Sequence, residues 1–149
     1  MSDKFDINYR LRPAKNIERK MMVEILRRLS HIKPISSYQY IGFSSPYFND
    51  FKLFHKELGI ENMTTIEKNK SPRDRIEFNK PFDCIDAKFD RSDNVLPDLD
   101  MSQETVLWLD YTTELKPYMF GDIERFCYSA PQGSVIFITL RADRMTFSE

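Results

Sequence analysis

Two short apolar runs constrain this chain more than any other feature. Thr105-Val106-Leu107-Trp108-Leu109 and Val135-Ile136-Phe137-Ile138-Thr139-Leu140 show no apolar–polar alternation, so each reads as a strand buried on both faces. Strands of that kind need helices above and below them. The segment from about Lys116 to Ser129 supplies a helix between the two, and such a unit closes as parallel neighbours through a right-handed crossover.

The rest of the chain continues this alternation. Pro13 suits a first helical position, where a missing N–H costs nothing. From there Ile17, Met21, Ile25 and Leu29 recur every four residues, flanked by Met22 and Leu26, and Lys33-Pro34 closes the segment. The spacing predicts an apolar stripe that docks on a sheet. Tyr38 to Phe43 is an aromatic-rich strand, and Phe48, Phe51, Leu53, Phe54 and Leu58 mark a second helix ended by Gly59. Ile60 to Glu67 is the next strand. The polar run Lys68 to Arg75 with Ile76-Glu77-Phe78 reads as a link too irregular for a full helix. Phe82 to Phe89 alternates as an edge strand does. The expected fold is a Rossmann-like three-layer α/β/α domain whose mainly parallel sheet has about five strands. With 149 residues the chain suits one domain, 1–149, with an amino-terminal helix at about 13–32 and a sheet core at about 38–140.

Bulk properties exclude several classes. No segment approaches the roughly 18 apolar residues that cross a bilayer, so no membrane partner is expected. Met1 to Asp6 has no basic-then-apolar pattern of a secretory signal. Cys84 and Cys127 form no CxxC pair and read as buried structural thiols, which fits a cytoplasmic location. His31 and His55 have no neighbours at ligand spacing, so no metal is expected. There is no GxSxG and no P-loop. Residues 1–35 carry +5 and the remainder −6, and an acidic body argues against wrapping nucleic acid. Arg10, Arg12, Lys15, Arg19, Lys20, Arg27 and Arg28 flank the first helix, as a solvated face or as a contact for phosphate.

In open α/β sheets ligands bind beyond the carboxyl ends of the strands, where strand order reverses. Gly42, with Phe43 and Ser44, follows the first strand. A residue without Cβ there lets backbone approach a ligand, or simply ends the strand. Glu67 stands 25 residues after Gly42, where a carboxylate can accept both ribose hydroxyls of a nucleoside, or lead solvated into the turn. Asp110-Tyr111 ends the most apolar strand. That carboxylate needs water, a partner or a ligand; it can act as a base, with Tyr111 stacking on a ring, or it caps a turn. Asp90 and Asp93 form an acidic loop after the third strand, suited to an adenine amino group or to solvation.

Taken in order, Tyr40-Ile41-Gly42-Phe43, Glu67, the Asp90 region and Leu107-Trp108-Leu109-Asp110-Tyr111 resemble the class I methyltransferases that use S-adenosylmethionine. Tyr40 to Phe48 with Ile66-Glu67 is also similar to a bacterial group labelled O-methyltransferases. Over residues 12–140 the resemblance implies a nucleoside-type cofactor, S-adenosylmethionine, with Gly42 near its methionine part, Glu67 on the ribose and Asp90 near adenine. Asp110 is then the candidate catalytic group. The glycine loop departs from the superfamily pattern, with Ser44 and Ser45 where further small residues are usual. Five strands are legible where the superfamily core has seven, which implies a minimal version, a shortened chain, or a site completed by a partner chain.

Two alternatives stand beside methyl transfer. One is a non-catalytic Rossmann-like interaction module, pairing as a homo-oligomer or with a partner protein through an exposed sheet edge. The other is a nucleic-acid contact through the basic amino-terminal helix.

Overall fold

The computed structural model describes residues 13–141. Arg10 and Arg12 of the basic stretch lie outside them, as does the amino-terminal segment read for a signal. Helix α1 (Pro13–Leu29) leads through a 3-10 turn at Ile35–Ser37 into β1 (Gln39–Phe43). There follow α2 (Asn49–Leu58), β2 (Asn62–Ile66), α3 (Arg73–Asn79) and β3 (Ile85–Lys88). A one-turn α4 (Ser92–Val95), β4 (Thr105–Asp110), α5 (Pro117–Ser129) and β5 (Val135–Thr139) complete the order.

All five strands are parallel, in the order β3-β2-β1-β4-β5. The fold is Rossmann-like, with helices on both faces of the sheet. On one face α1, α2 and Ile76 of α3 pack over Tyr40, Met63, Ile85, Val106 and Trp108. On the other, α4 and α5 pack over Ile41, Ile66, Leu107 and Leu109. The chain leaves β1 toward β2 on one side and reaches β4 on the other. The reversal of strand order therefore falls between β1 and β4, which opens a crevice at their carboxyl ends.

Several expectations are corrected. Ile17, Met21 and Ile25 are exposed, at 58%, 60% and 45%, while Arg19, Met22, Val23 and Leu26 are buried. A residue every fourth position precesses by about 40° per step on a helix of 3.6 residues per turn, so a stripe with that spacing cannot hold one face. The buried set at i, i+3, i+4, i+7 does hold it. The link between β2 and β3 contains a regular helix, α3; its two turns bury only Ile76, too little to leave a periodic signature. β5 is a sheet edge and only half-buried, with Ile138 41% exposed, although its sequence is as continuously apolar as the core of β4. Cys127 is exposed and Cys84 half-buried, because α5 turns Cys127 away from its packed residues Met119, Asp122 and Phe126.

Two left-handed backbone positions bound α2. Gly59 takes a left-handed conformation (φ 70°) and donates its N–H to the His55 carbonyl, ending α2 as expected. Phe48 is also left-handed (φ 49°) just before α2, and its fully buried ring holds it there against Phe51. A bulky residue in that region is strained and persists only where packing determines it.

Candidate functional site

A cavity of about 650 Å³ opens at the carboxyl ends of β1, β2 and β4. Phe43, Ser44, Glu67, Asp110 and Tyr111 all line it. Five of the seven residues singled out from the sequence are thus brought together. Gly42 and Asp90 are not in its wall.

Glu67 is held from two directions. Ser44 Oγ donates to its Oε2 at 2.6 Å, and the Asn69 N–H donates to its Oε1 at 2.8 Å. Each carboxylate oxygen has a second lone pair, so the group remains able to accept two further hydrogen bonds. Asp110 is 25% exposed at its side chain, and its Oδ1 accepts from Lys15 Nζ at 2.6 Å. Lys15 also pairs with Glu18 at 3.0 Å and lies 5.5 Å from the Trp108 ring centroid. Thr139 Oγ1 donates to Glu18, and Trp108 Nε1 donates to Thr139. These bonds fasten the start of α1 to the ends of β4 and β5.

Gly42 serves a neighbour. A Cβ on it would stand 2.3 Å from the Tyr40 hydroxyl oxygen, because both residues face the same side of β1. Its lack of a side chain makes room for the Tyr40 phenol, which donates to Asp50 Oδ2 at 2.5 Å beneath the cavity. Both groups are buried. Burial pushes the Asp50 carboxyl above its ordinary value, against the Tyr40 hydrogen bond and the charge of Arg19, which pull it down. Burial, followed by the Asp50 charge, pushes the Tyr40 phenol well up.

Asp90 works locally. Its Oδ1 accepts the Arg91 N–H at 2.7 Å and Asn94 Nδ2 at 3.0 Å, ordering the turn into α4. These bonds, Asn94 foremost, hold its carboxyl below the ordinary value. The residues that this loop presents to the cavity are Arg91 and Ser92. Arg91 lies 4.7 Å from the Tyr118 ring and makes paired bonds to Asp93. Tyr111 packs its ring 5.5 Å from Phe43 and donates its hydroxyl to Asp122 Oδ2 at 2.7 Å. Ser92 Oγ donates to the same oxygen at 2.5 Å. Burial raises the Asp122 carboxyl and the Tyr111 phenol together.

Among the described residues no group of three or more His, Cys, Asp or Glu is placed to hold a metal ion. No helix among them is long and apolar enough to cross a membrane. A family model described as "Putative O-methyltransferase" matches residues 7–149. The chain belongs to this family. No curated protein and no solved structure matches it. The family's description supports a methyltransferase-like function, and the open cavity lies where a parallel α/β sheet places its ligand.

In this O-methyltransferase family chain Arg19 and Lys15, expected on a solvated face or at a phosphate, stand instead in the cavity wall and beside Asp110, and Asp50 in the same wall was not singled out. Arg19 could have been found: it stands three and four residues before Met22 and Val23, on the inward stripe. Asp50 looks like an ordinary acidic residue in a helix's first turn. Only its tertiary surroundings set it apart. Of the other basic residues, Arg27 bonds Glu57 and Arg28 pairs with Glu24.

Proposed function

We propose that residues 1–149 act as one domain that binds S-adenosylmethionine in this cavity and transfers its methyl group to an acceptor oxygen. The observation that carries the reading is Glu67: a carboxylate at the end of β2, anchored through both oxygens and still able to accept from a ribose diol. The cavity volume lies within the usual range of about 300–1,000 Å³ for small-ligand sites. Ser45 Oγ, in the same wall, is buried with no hydrogen-bond partner among the described residues, as a site shaped for a polar ligand would leave it.

When bound, S-adenosylmethionine supplies an electrophilic methyl group on a positively charged sulfur. The chain's own part is positioning. Glu67 orients the ribose, while Phe43 and Tyr111 form an aromatic wall. Asp110 accepts the acceptor's proton at Oδ2, the oxygen that Lys15 does not engage. Titration calorimetry with S-adenosylmethionine and S-adenosylhomocysteine tests the reading. Saturable binding is expected, weakened about ten- to a hundredfold by Glu67→Ala, since a hydrogen bond to a charged group contributes about 1.5–3 kcal/mol. Well-folded protein that binds neither compound sinks it.

One observation favours a second reading, an interaction module that pairs through its sheet edge. β5 has a strand neighbour on one side only, and Ile138 and Leu140 at its end are 41% and 46% exposed. Open edges of this kind template pairing. Light scattering that shows a monomer at all concentrations removes this alternative.

A further inference from the structure

The two edges of the sheet differ in charge. β3 carries Asp86 and Lys88, exposed and paired to each other at 2.7 Å, and charge of this kind keeps an edge from pairing. β5 has no charged residue, no proline and no glycine from Val135 to Thr139. One bond fixes which of its backbone groups point outward. The Thr139 carbonyl accepts the Tyr111 N–H, so Thr139 faces β4, and alternate residues of a parallel strand face opposite sides. Ile136 and Ile138 therefore turn their N–H and C=O groups away from β4, toward the open edge.

Apolar side chains flank this edge on both faces of the sheet. In α1, Glu18 accepts from Thr139 of β5 and Arg27 bonds Glu57 of α2, which fixes the helix's two flanks. Met21 and Ile25 lie within about 60° of Glu18 around the helix, and Ile17 extends the same exposed ridge. On the other face Asp122 of α5 accepts from Ser92 of α4. Exposed Phe120 lies about 160° from Asp122 around α5 and so turns away from α4. Ile17, Met21, Ile25, Phe120, Ile138 and Leu140 are each about half exposed. At about 200 Å² for a fully exposed residue of this size, they leave on the order of 600 Å² of apolar surface. A standard stable interface buries about 800 Å² per partner, and the largest patch on an ordinary monomer is about 300–600 Å².

We propose that a second copy of this chain covers this face, its β5 antiparallel to the first about a two-fold axis perpendicular to the sheet. The two five-stranded sheets then run on as one. The inference rests on the edge-pairing reading above, whose partner it names, and is independent of the cofactor. Such an axis pairs Ile136 with Ile138 of the second copy, through the groups that β4 leaves free, and sets the two Phe137 side chains opposite each other. It also keeps each face on its own side. α1 meets α1 and α5 meets α5, so each apolar ridge meets its own copy, as an isologous interface requires. No net charge opposes the approach along α1, because Arg28 and Glu24 beside the ridge pair with each other at 3.5 Å.

Sedimentation equilibrium of the full chain measures the dimer, and amide hydrogen exchange locates it. The expected result is a concentration-dependent dimer, with exchange at the Ile136 and Ile138 amides slowed at least tenfold as it forms. Ile138→Lys, which puts a charge on the edge, should raise the dimer dissociation constant at least tenfold. Met21→Glu should do the same from α1, and its exposed position keeps the test open if the first variant does not fold. A monomer at every concentration overturns the second copy; slow exchange at the two amides in that monomer would mean that the chain covers its own edge. A dimer whose Ile136 and Ile138 amides exchange freely associates elsewhere and overturns edge pairing altogether. A dimer that protects them but ignores Met21→Glu leaves edge pairing standing and overturns the two-fold packing of the helices.

Discussion

Lys15 Nζ stands 2.6 Å from Asp110 Oδ1, so the carboxylate that ends β4 is ion-paired by the first helix. The relationship decides where α1 lies. Met22, Val23, Leu26 and the partly buried Leu29 of α1 pack inward, but apolar packing is non-directional and does not by itself fix how far along the sheet the helix sits. The bonds from Lys15 to Asp110, Thr139 to Glu18 and Trp108 to Thr139 do. The same contact places a cation beside the group proposed as the base.

This pair should be measurable. Its side chains are 19% and 25% exposed, so it belongs neither to the weak surface class nor to the fully buried one. A double-mutant cycle with Lys15→Met and Asp110→Asn, read by urea unfolding, is expected to give a coupling of about 1 kcal/mol. Additive single changes would mean that the pair does not hold the helix.

Gly42→Ala should destabilise the fold through Tyr40 and not through a lost ligand contact. The added methyl stands 2.3 Å from the phenol oxygen and 2.8 Å from the ring carbon bearing it. The ring must shift, and overpacking of this kind costs about 1–3 kcal/mol. In a Tyr40→Leu background most of that cost should vanish. Thermal unfolding of the four proteins checks it, and an undiminished cost in the double variant would place the strain elsewhere.

Asp122 carries a pH signature. Chiefly through burial, its folded-state pKa lies above the ordinary 3.8. The folded chain therefore holds this proton more tightly than the unfolded chain does. The resulting stability is fully present below about pH 3.8 and is lost as pH rises through the folded-state value. Asp122→Asn retains an oxygen to accept from Ser92 and Tyr111 but does not titrate. The variant should gain on wild type as pH rises from about 4 toward 7. Chemical unfolding at several pH values measures the difference; a gap that is constant with pH would contradict the raised pKa.

The sheet was legible because fully buried strands announce themselves. Nothing but a two-faced environment explains Val106-Leu107-Trp108-Leu109. β5 shows where that logic ends, since Val135 to Thr139 is comparably apolar and has one neighbour fewer. Composition reports how apolar a strand is and not how many strands flank it. Glu67, Ser44, Asp110 and Tyr111 were found because strand ends can be located in sequence and parallel topology gathers them. Arg19 and Lys15 were legible only as basic residues and Asp50 only as an ordinary acidic one, because their places are set by tertiary packing. Lys15 and Asp110 are 95 positions apart.

Ser44 offers a test of the ribose site that leaves the core alone. Its hydroxyl holds Glu67 Oε2 at 2.6 Å, while Asn69 holds the other oxygen. Ser44→Ala removes one anchor and leaves the carboxylate in place, so the ligand loses preorganisation and keeps its contact. A hydrogen bond of this kind contributes about 0.5–1.5 kcal/mol. The affinity for S-adenosylhomocysteine should then fall about three- to tenfold, a smaller loss than for Glu67→Ala. The melting temperature of the free protein should stay within about a degree or two, because Ser44 is half-exposed and the change removes a single hydroxyl. Calorimetry and thermal unfolding on one preparation read both quantities. Unchanged affinity would mean that the Asn69 amide alone orients Glu67.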